Sequence, residues 1–173
     1  MESKVLVIGA GPVGLMVALR LAQAGIKVDV IEKEASLSEE PRAVAYYAGA
    51  LTSLQRAGLI EDMLKEGFET TGLCWRKPLV DDGKGGKKFG GIIARLPVPS
   101  ETNEAHGIVG TLNLPQSKLL KLLFRKVNET GFVSIHFNTA LTSIEQHADH
   151  VVATVVKSDT NTTIPIKASF LLA

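Results

Sequence analysis

The sequence predicts an α/β protein: a parallel βαβ unit, an inserted β-rich lobe and a C-terminal three-strand meander. Three observations carry that prediction. A β-branched run, "KVLVI" (residues 4–8), gives way at once to spaced glycines and then to helical periodicity. From residue 72 a stretch rich in strand formers is broken repeatedly by glycine and proline. Beyond residue 131 strand-like runs alternate with short polar turns.

Taken in order, residues 4–8 suit a strand buried on both faces. Glycines follow at Gly9, Gly11 and Gly14; Leu15, Ala18, Leu19 and Ala22 then recur at helical spacing until Gly25 stops the helix. "KVDVIE" reads as a second strand ending in Glu32. Strand, glycine turn, helix, strand and acid make one Rossmann-like βαβ unit.

From Ala43 to Leu64 the pattern supports helix, with Leu51, Leu54, Leu59 and Leu64 apolar and Gly58 dividing two short helices. "GLCWRKPLV", "KKFGGIIARLPV" and "HGIVGTLN" read as short strands joined by "DDGKGG" and "PSETNEA". "GKGGKKFGG" lacks the lysine-then-hydroxyl ending of a phosphate loop and reads as a solvated hairpin turn. "LPQSKLLKLLFRKVNETG" returns to helix, with Leu119, Leu120, Leu122, Leu123, Phe124 and Val127 as its buried side. "VSIHFNTALTSIEQ", "HVVATVVK" and "TTIPIKASFLLA" read as three strands that turn at "HAD" and "SDTN". The expected divisions are residues 1–71 and 113–173 for the nucleotide domain and 72–112 for the start of a substrate lobe.

Composition excludes several classes. The 173 residues are 45% hydrophobic and 21% charged, the balance of a soluble globular protein with one sizeable core. Nineteen basic against 18 acidic side chains give a net charge of +1, so no overall field recommends nucleic acid or an anionic membrane. The apolar run from Val5 to Leu19 is interrupted by Arg20, short of the roughly 20 residues that span a bilayer. A single cysteine, Cys74, allows no internal disulfide, reads as a small buried hydrophobe, and points to a reducing, cytoplasmic setting. His147 and His150 flank a turn without a third ligand, so no metal is expected.

The glycines have distinct tasks. Gly9 permits the tight turn, Gly11 lets backbone approach a pyrophosphate, and Gly14 lets the helix pack on the strand. The helix N-terminus offers unpaired N–H groups to the anion. Glu32 stands where a carboxylate accepts hydrogen bonds from a ribose and repels a 2′-phosphate. A dinucleotide site follows, and FAD and NAD both remain open at this point.

Four features in order, "VIGAGPVGL", the acid of "VIEKE", "EPRAVA" and "LNLPQSKLLKLL", give the chain its resemblance to the FAD-dependent aromatic hydroxylases. It resembles the p-hydroxybenzoate hydroxylase fold, and within it the phenol hydroxylase-like branch. The last two features select FAD. The resemblance implies that Pro12 and Val13 complete the phosphate loop with the three glycines and that Lys33 lies beside the ribose acid. It places Arg42, with Ala43, at the pyrophosphate and flavin region, Gln116 on the cofactor, and Leu141 near the adenine. No catalytic side chain is implied.

For the activity, the resemblance implies reduction of FAD by NADPH or NADH, reaction with O2, and hydroxylation of an electron-rich, phenol-like or polyketide-like aromatic. Gly49 and Thr52 stand where the family often has arginine and glutamate. The resemblance also implies an Asp-Gly turn after a strand like "ASFLLA", so a further C-terminal portion or a partner chain is expected to complete the site. The alternatives are a non-catalytic FAD or nucleotide module and an NAD-linked dehydrogenase sharing only the βαβ fingerprint.

Overall fold

The computed structural model describes residues 2–40, 42–47, 49–97 and 110–173. In chain order the elements are β1 (Glu2–Ile8), α1 (Pro12–Gln23), β2 (Val28–Ile31), β3 (Ala45–Tyr46), α2 (Gly49–Arg56) and α3 (Ile60–Glu66). Then come β4 (Phe68–Thr70), β5 (Gly72–Arg76), β6 (Val80–Asp81), β7 (Lys87–Lys88), β8 (Ile92–Pro97) and β9 (Thr111–Asn113). The chain closes with α4 (Gln116–Thr130), β10 (Val133–His136), β11 (Thr139–Gln146), β12 (Val151–Lys157) and β13 (Thr162–Leu172). Contacts group them into two units, Met1–Ala43 with Pro115–Ala173, and Val44–Leu114.

The first unit is built on a sheet of order β10-β2-β1-β13-β12-β11. β1 pairs in parallel with β2 and β13, and β10 in parallel with β2. β13 is shared. Its first half pairs antiparallel with β12, and its second half, from Lys167 to Leu172, runs parallel to β1.

Strand side chains alternate between faces, so the parallel strands need apolar residues on both. Leu6 and Ile31 pack with Ala153, Val155, Ile166 and Ala168 of the meander. Val5, Val7, Val28 and Val30, of opposite parity, are also buried. Helices α1 and α4 pack side by side and touch the parallel strands, burying Leu15, Leu19, Leu119, Leu120, Leu123 and Val127. The leucines of α4 are thus core residues, as its periodicity predicts.

Three expectations are corrected. "VSIHFNTALTSIEQ" is two strands, β10 and β11, because Asn138 adopts a positive φ of 54° and donates its N–H to the Glu34 carbonyl. Asparagine tolerates that left-handed conformation. The stretch from Ala43 is not helical at its start, since Ala45 and Tyr46 pair with Asn113 and Leu112 as β3. Cys74 is exposed rather than buried.

In the second unit β3, β9 and β4 form one small sheet, and β5–β8 and β6–β7 are separate two-stranded ribbons. Gly58, at φ 74°, divides α2 from α3 as the sequence predicts. Asp82 accepts the N–H groups of Lys84 and Gly86, which closes the "DDGKGG" turn and holds its carboxyl below the usual range. The division by contacts falls at residues 43/44 and 114/115, so α2, α3 and β4 cluster with the ribbons. The "PSETNEA" turn and the first residues of "HGIVGTLN" lie outside the described residues.

Candidate functional site

At the end of β1, Gly9 takes φ +95° and donates its N–H to the Ile31 carbonyl at 2.7 Å, which ties the turn to β2. Only glycine adopts that backbone without strain. Gly11 caps α1 in an extended conformation, Pro12 follows at the first helical position, and the Leu15 N–H bonds the Gly11 carbonyl. The N–H groups of Val13 and Gly14, in the first turn, have no intrahelical acceptor.

The glycines divide their tasks. A Cβ on Gly14 would collide with the Gly9 carbonyl oxygen, whereas a Cβ on Gly11 meets nothing within 4 Å. Gly14 therefore serves packing. The space beside Gly11 belongs to a cleft of about 640 Å³, lined also by Ala10, Pro12, Glu32, Lys33, Arg42 and Gln116.

Glu32 is fixed on both its backbone sides. Its N–H bonds the His136 carbonyl and its own carbonyl accepts the Thr139 N–H. The carboxylate accepts the Ala10 N–H at 2.7 Å through one oxygen and the Glu34 N–H at 3.0 Å through the other. It thus clamps the glycine turn, and each oxygen keeps a lone pair for another donor.

Beyond Lys33, sequence reasoning missed a mostly polar wall of the cleft formed by Glu34, Ser36, Leu37, Ser38, Glu39 and Glu40. The acid-rich "SEEPR" was the available signal. Arg42 binds Glu40 through Nη2 at 2.8 Å and Nε at 3.2 Å. Lys121 of α4 donates to Glu39 at 2.8 Å, and that hydrogen bond, with the ammonium charge, lowers the Glu39 pKa. At the start of α4 the Gln116 N–H bonds the Ala43 carbonyl at 3.0 Å, which brings "PRA" and "LPQ" together.

Gly11, Pro12, Glu32, Lys33, Arg42 and Gln116 therefore line one cleft, and Gly9 and Gly14 shape its turn. Val13 is 78% exposed on the first turn of α1. Ala43 contributes its carbonyl to the α4 start. Leu141 does not line the cleft; it packs against the core cluster between sheet and meander. His147 and His150 stack at 4.4 Å across their turn, and no cluster of three metal-ligating side chains exists among the described residues.

A family model described as "FAD binding domain" matches residues 2–173. The chain belongs to that family. It is similar to para-nitrophenol 4-monooxygenase of Pseudomonas sp. (strain WBC-3), 31% identical over 98% of this chain and 39% of that protein. In the crystal structure of p-nitrophenol 4-monooxygenase PnpA from Pseudomonas putida DLL-E4, 27% identical, the TM-score is 0.80 over 98% of this chain and 40% of that one. The flavin-dependent monooxygenase PieE, solved with FAD and substrate, gives 0.83 at 19% identity over 99% of this chain and 30% of that one, which shows the fold alone. The chain thus spans about two fifths of the length of its nitrophenol monooxygenase relatives.

The FAD family fits the residues present. A dinucleotide pyrophosphate needs open space against a helix N-terminus, and Gly11 supplies it where any side chain would project into the cleft. The carboxylate at the end of β2 and the guanidinium of Arg42 border the same space. No helix among the described residues is long and apolar enough to cross a membrane.

Proposed function

We propose that this chain is the FAD-binding part of a flavin-dependent monooxygenase that hydroxylates a phenol-like or polyketide-like aromatic with NADPH or NADH and O2. The observation that supports it best is the cleft in which Gly11, Glu32, Arg42 and Gln116 border one space at the N-terminus of α1. FAD, when bound, supplies the redox chemistry: it takes reducing equivalents from the nicotinamide and activates O2 for transfer to the ring.

The protein's own residues bind and orient. The first-turn N–H groups of α1 receive the pyrophosphate, with Gly11 leaving room for it. Glu32 accepts the ribose hydroxyls on the lone pairs that Ala10 and Glu34 leave free. The Arg42 guanidinium reaches phosphate oxygens, for which its planar fork is suited, and the Gln116 amide contacts a polar edge of the cofactor. Residues 72–112 we assign to the beginning of the substrate lobe.

Titration with FAD tests the site. Gly11→Val adds a branched side chain whose Cβ meets no protein atom within 4 Å and which projects into the phosphate space, so it should abolish FAD binding and leave the unfolding transition close to the parent's. Equal FAD affinity in parent and variant would place the site elsewhere. Substrate-stimulated NADPH oxidation by the whole protein separates an enzyme from a mere binding module.

A further inference from the structure

None of residues 136–139, where β10 turns into β11, lines the cofactor cleft, yet three backbone hydrogen bonds join them to the segment that leaves β2. His136 accepts the Glu32 N–H at 2.9 Å, Thr139 donates to the Glu32 carbonyl at 2.8 Å, and Asn138 donates to the Glu34 carbonyl at 3.0 Å. Glu34 in turn donates its N–H to one carboxylate oxygen of Glu32 at 3.0 Å, while Ala10 donates to the other at 2.7 Å. One line of bonds therefore runs from Asn138 through Glu34 to the Glu32 carboxylate.

The turn is itself held from three sides. The Ser158 N–H bonds the Asn138 carbonyl at 2.8 Å, which ties it to the end of β12. His136 Nε2 meets the Asp29 carboxylate of β2 at 2.8 Å, and Phe137 lies against Phe124 of α4 with ring centroids 6.2 Å apart. At the centre Asn138 adopts φ 54°. Its side chain makes no hydrogen bond among the described residues, so position 138 asks its residue for a left-handed backbone and nothing more. Glycine takes that conformation freely, asparagine tolerates it, and a β-branched residue is strained there.

We infer that Asn138 is a positioning residue: its left-handed turn fixes Glu34, and through Glu34 the direction in which Glu32 offers its carboxylate to the adenosine ribose. The inference rests on the reading of Glu32 as ribose acceptor and goes beyond it by naming what aims that acceptor. A glutamate loses rotamer freedom when it is fixed, and a binding group is held in productive geometry only where neighbouring bonds lock its rotamer. Of the two N–H groups that lock Glu32, that of Ala10 belongs to the glycine turn. That of Glu34 lies outside helix and strand, and the same residue's carbonyl is held by Asn138. The angle φ sets how an N–H is directed relative to the carbonyl of its own residue. A residue that relaxes to negative φ at position 138 therefore cannot keep both bonds, its N–H on Glu34 and its carbonyl on Ser158.

The test is a double-mutant cycle read by FAD titration of the whole protein, with denaturant unfolding followed alongside. Asn138→Val should weaken FAD about tenfold, comparable with the loss of one hydrogen bond. With Glu32→Ala already present the same change should cost less than about twofold, because the turn then has no carboxylate to aim. Asn138→Gly, which keeps the left-handed backbone, should bind FAD within about twofold of the parent. A turn that serves stability alone gives a different pattern: Asn138→Val shifts unfolding and weakens FAD equally in both backgrounds, or leaves FAD untouched. Either result overturns the inference, as does a loss in Asn138→Gly equal to that in Asn138→Val. Should Asn138→Val fail to fold, Asn138→Ala, less strained at positive φ, goes through the same cycle and is judged by the same dependence on Glu32. The two readings fail separately. Parent-like affinity in Glu32→Ala sinks the ribose reading and this inference with it; a weakened Glu32→Ala beside an undiminished Asn138→Val effect sinks the inference alone.

Discussion

Strands β1 and β5 are both apolar, and they end in opposite environments. Val5, Leu6 and Val7 are 5%, 0% and 2% exposed, whereas Leu73 and Trp75 are 62% and 53% exposed. Composition does not separate them; layers do. β1 has a paired strand on each side, contacts helix α1, and packs Leu6 with Ala153, Val155, Ile166 and Ala168 of the meander. β5 has one partner, β8, and a lone two-stranded ribbon buries neither face well. The glycine turn at residues 9–14 thus follows a strand whose side chains are buried, the kind of support on which a cofactor site can be positioned.

The sharpest way to break this contrast is to change one side chain in each region. Gly14→Ala forces a Cβ onto the Gly9 carbonyl oxygen. Either the turn or the α1–β1 packing must move, and the expected loss is at least about 1–3 kcal/mol, as for overpacked cores. Removing carbons from the ribbon by Leu73→Ala should change stability by less than about 0.5 kcal/mol, the usual range for exposed positions. Denaturant unfolding of both variants decides the matter. Similar transitions for the two would mean that the glycine turn is as pliable as the ribbon.

Much of the first unit was legible in the sequence because its determinants are local. The glycine spacing, the acid ending β2 and the apolar stripe of α4 each follow from residues a few positions apart, and they positioned Gly11, Glu32 and Gln116 on one cleft. What could not be read depends on distant partners. Nothing within "VSIHFNTALTSIEQ" reveals that β10 pairs with β2 while β11 pairs with β12, since both halves satisfy a strand pattern. Leu141, expected beside the adenine, is a partly buried side chain packed against the core cluster and is not among the residues that line the cleft. Cys74 reads in sequence as a small buried hydrophobe because nothing beside it suggests an activated thiol, but it lies exposed on the β5–β8 ribbon, which no further strand covers among the described residues.

A smaller effect sharpens what the cofactor site does. Glu32 both clamps the Ala10 N–H and borders the cleft, so its removal loosens the turn and takes away a ribose acceptor. Glu32→Ala should weaken FAD by about 1–3 kcal/mol, the range for a hydrogen bond to a charged group. Calorimetry that returned an unchanged dissociation constant would leave the clamp as the only role of Glu32.

The smallest effect concerns the acids around the cofactor. Four carboxylates, Glu32, Glu34, Glu39 and Glu40, line the cleft against two cations, Lys33 and Arg42, although the proposed ligand is itself an anion. Arg42 is already held by Glu40 through two of its nitrogens. A phosphate oxygen must displace that carboxylate to use the same donors. Glu40→Gln removes a competitor and a like charge together, so it should tighten FAD, by no more than about fivefold, because an exposed ion pair is worth at most about 1 kcal/mol. The advantage should shrink as salt is raised, since both the pair and the repulsion are screened. Weaker FAD binding by Glu40→Gln would reverse the sign of the argument: Glu40 would then be holding Arg42 in the orientation the phosphates need, and the ion pair would be part of the preorganised site.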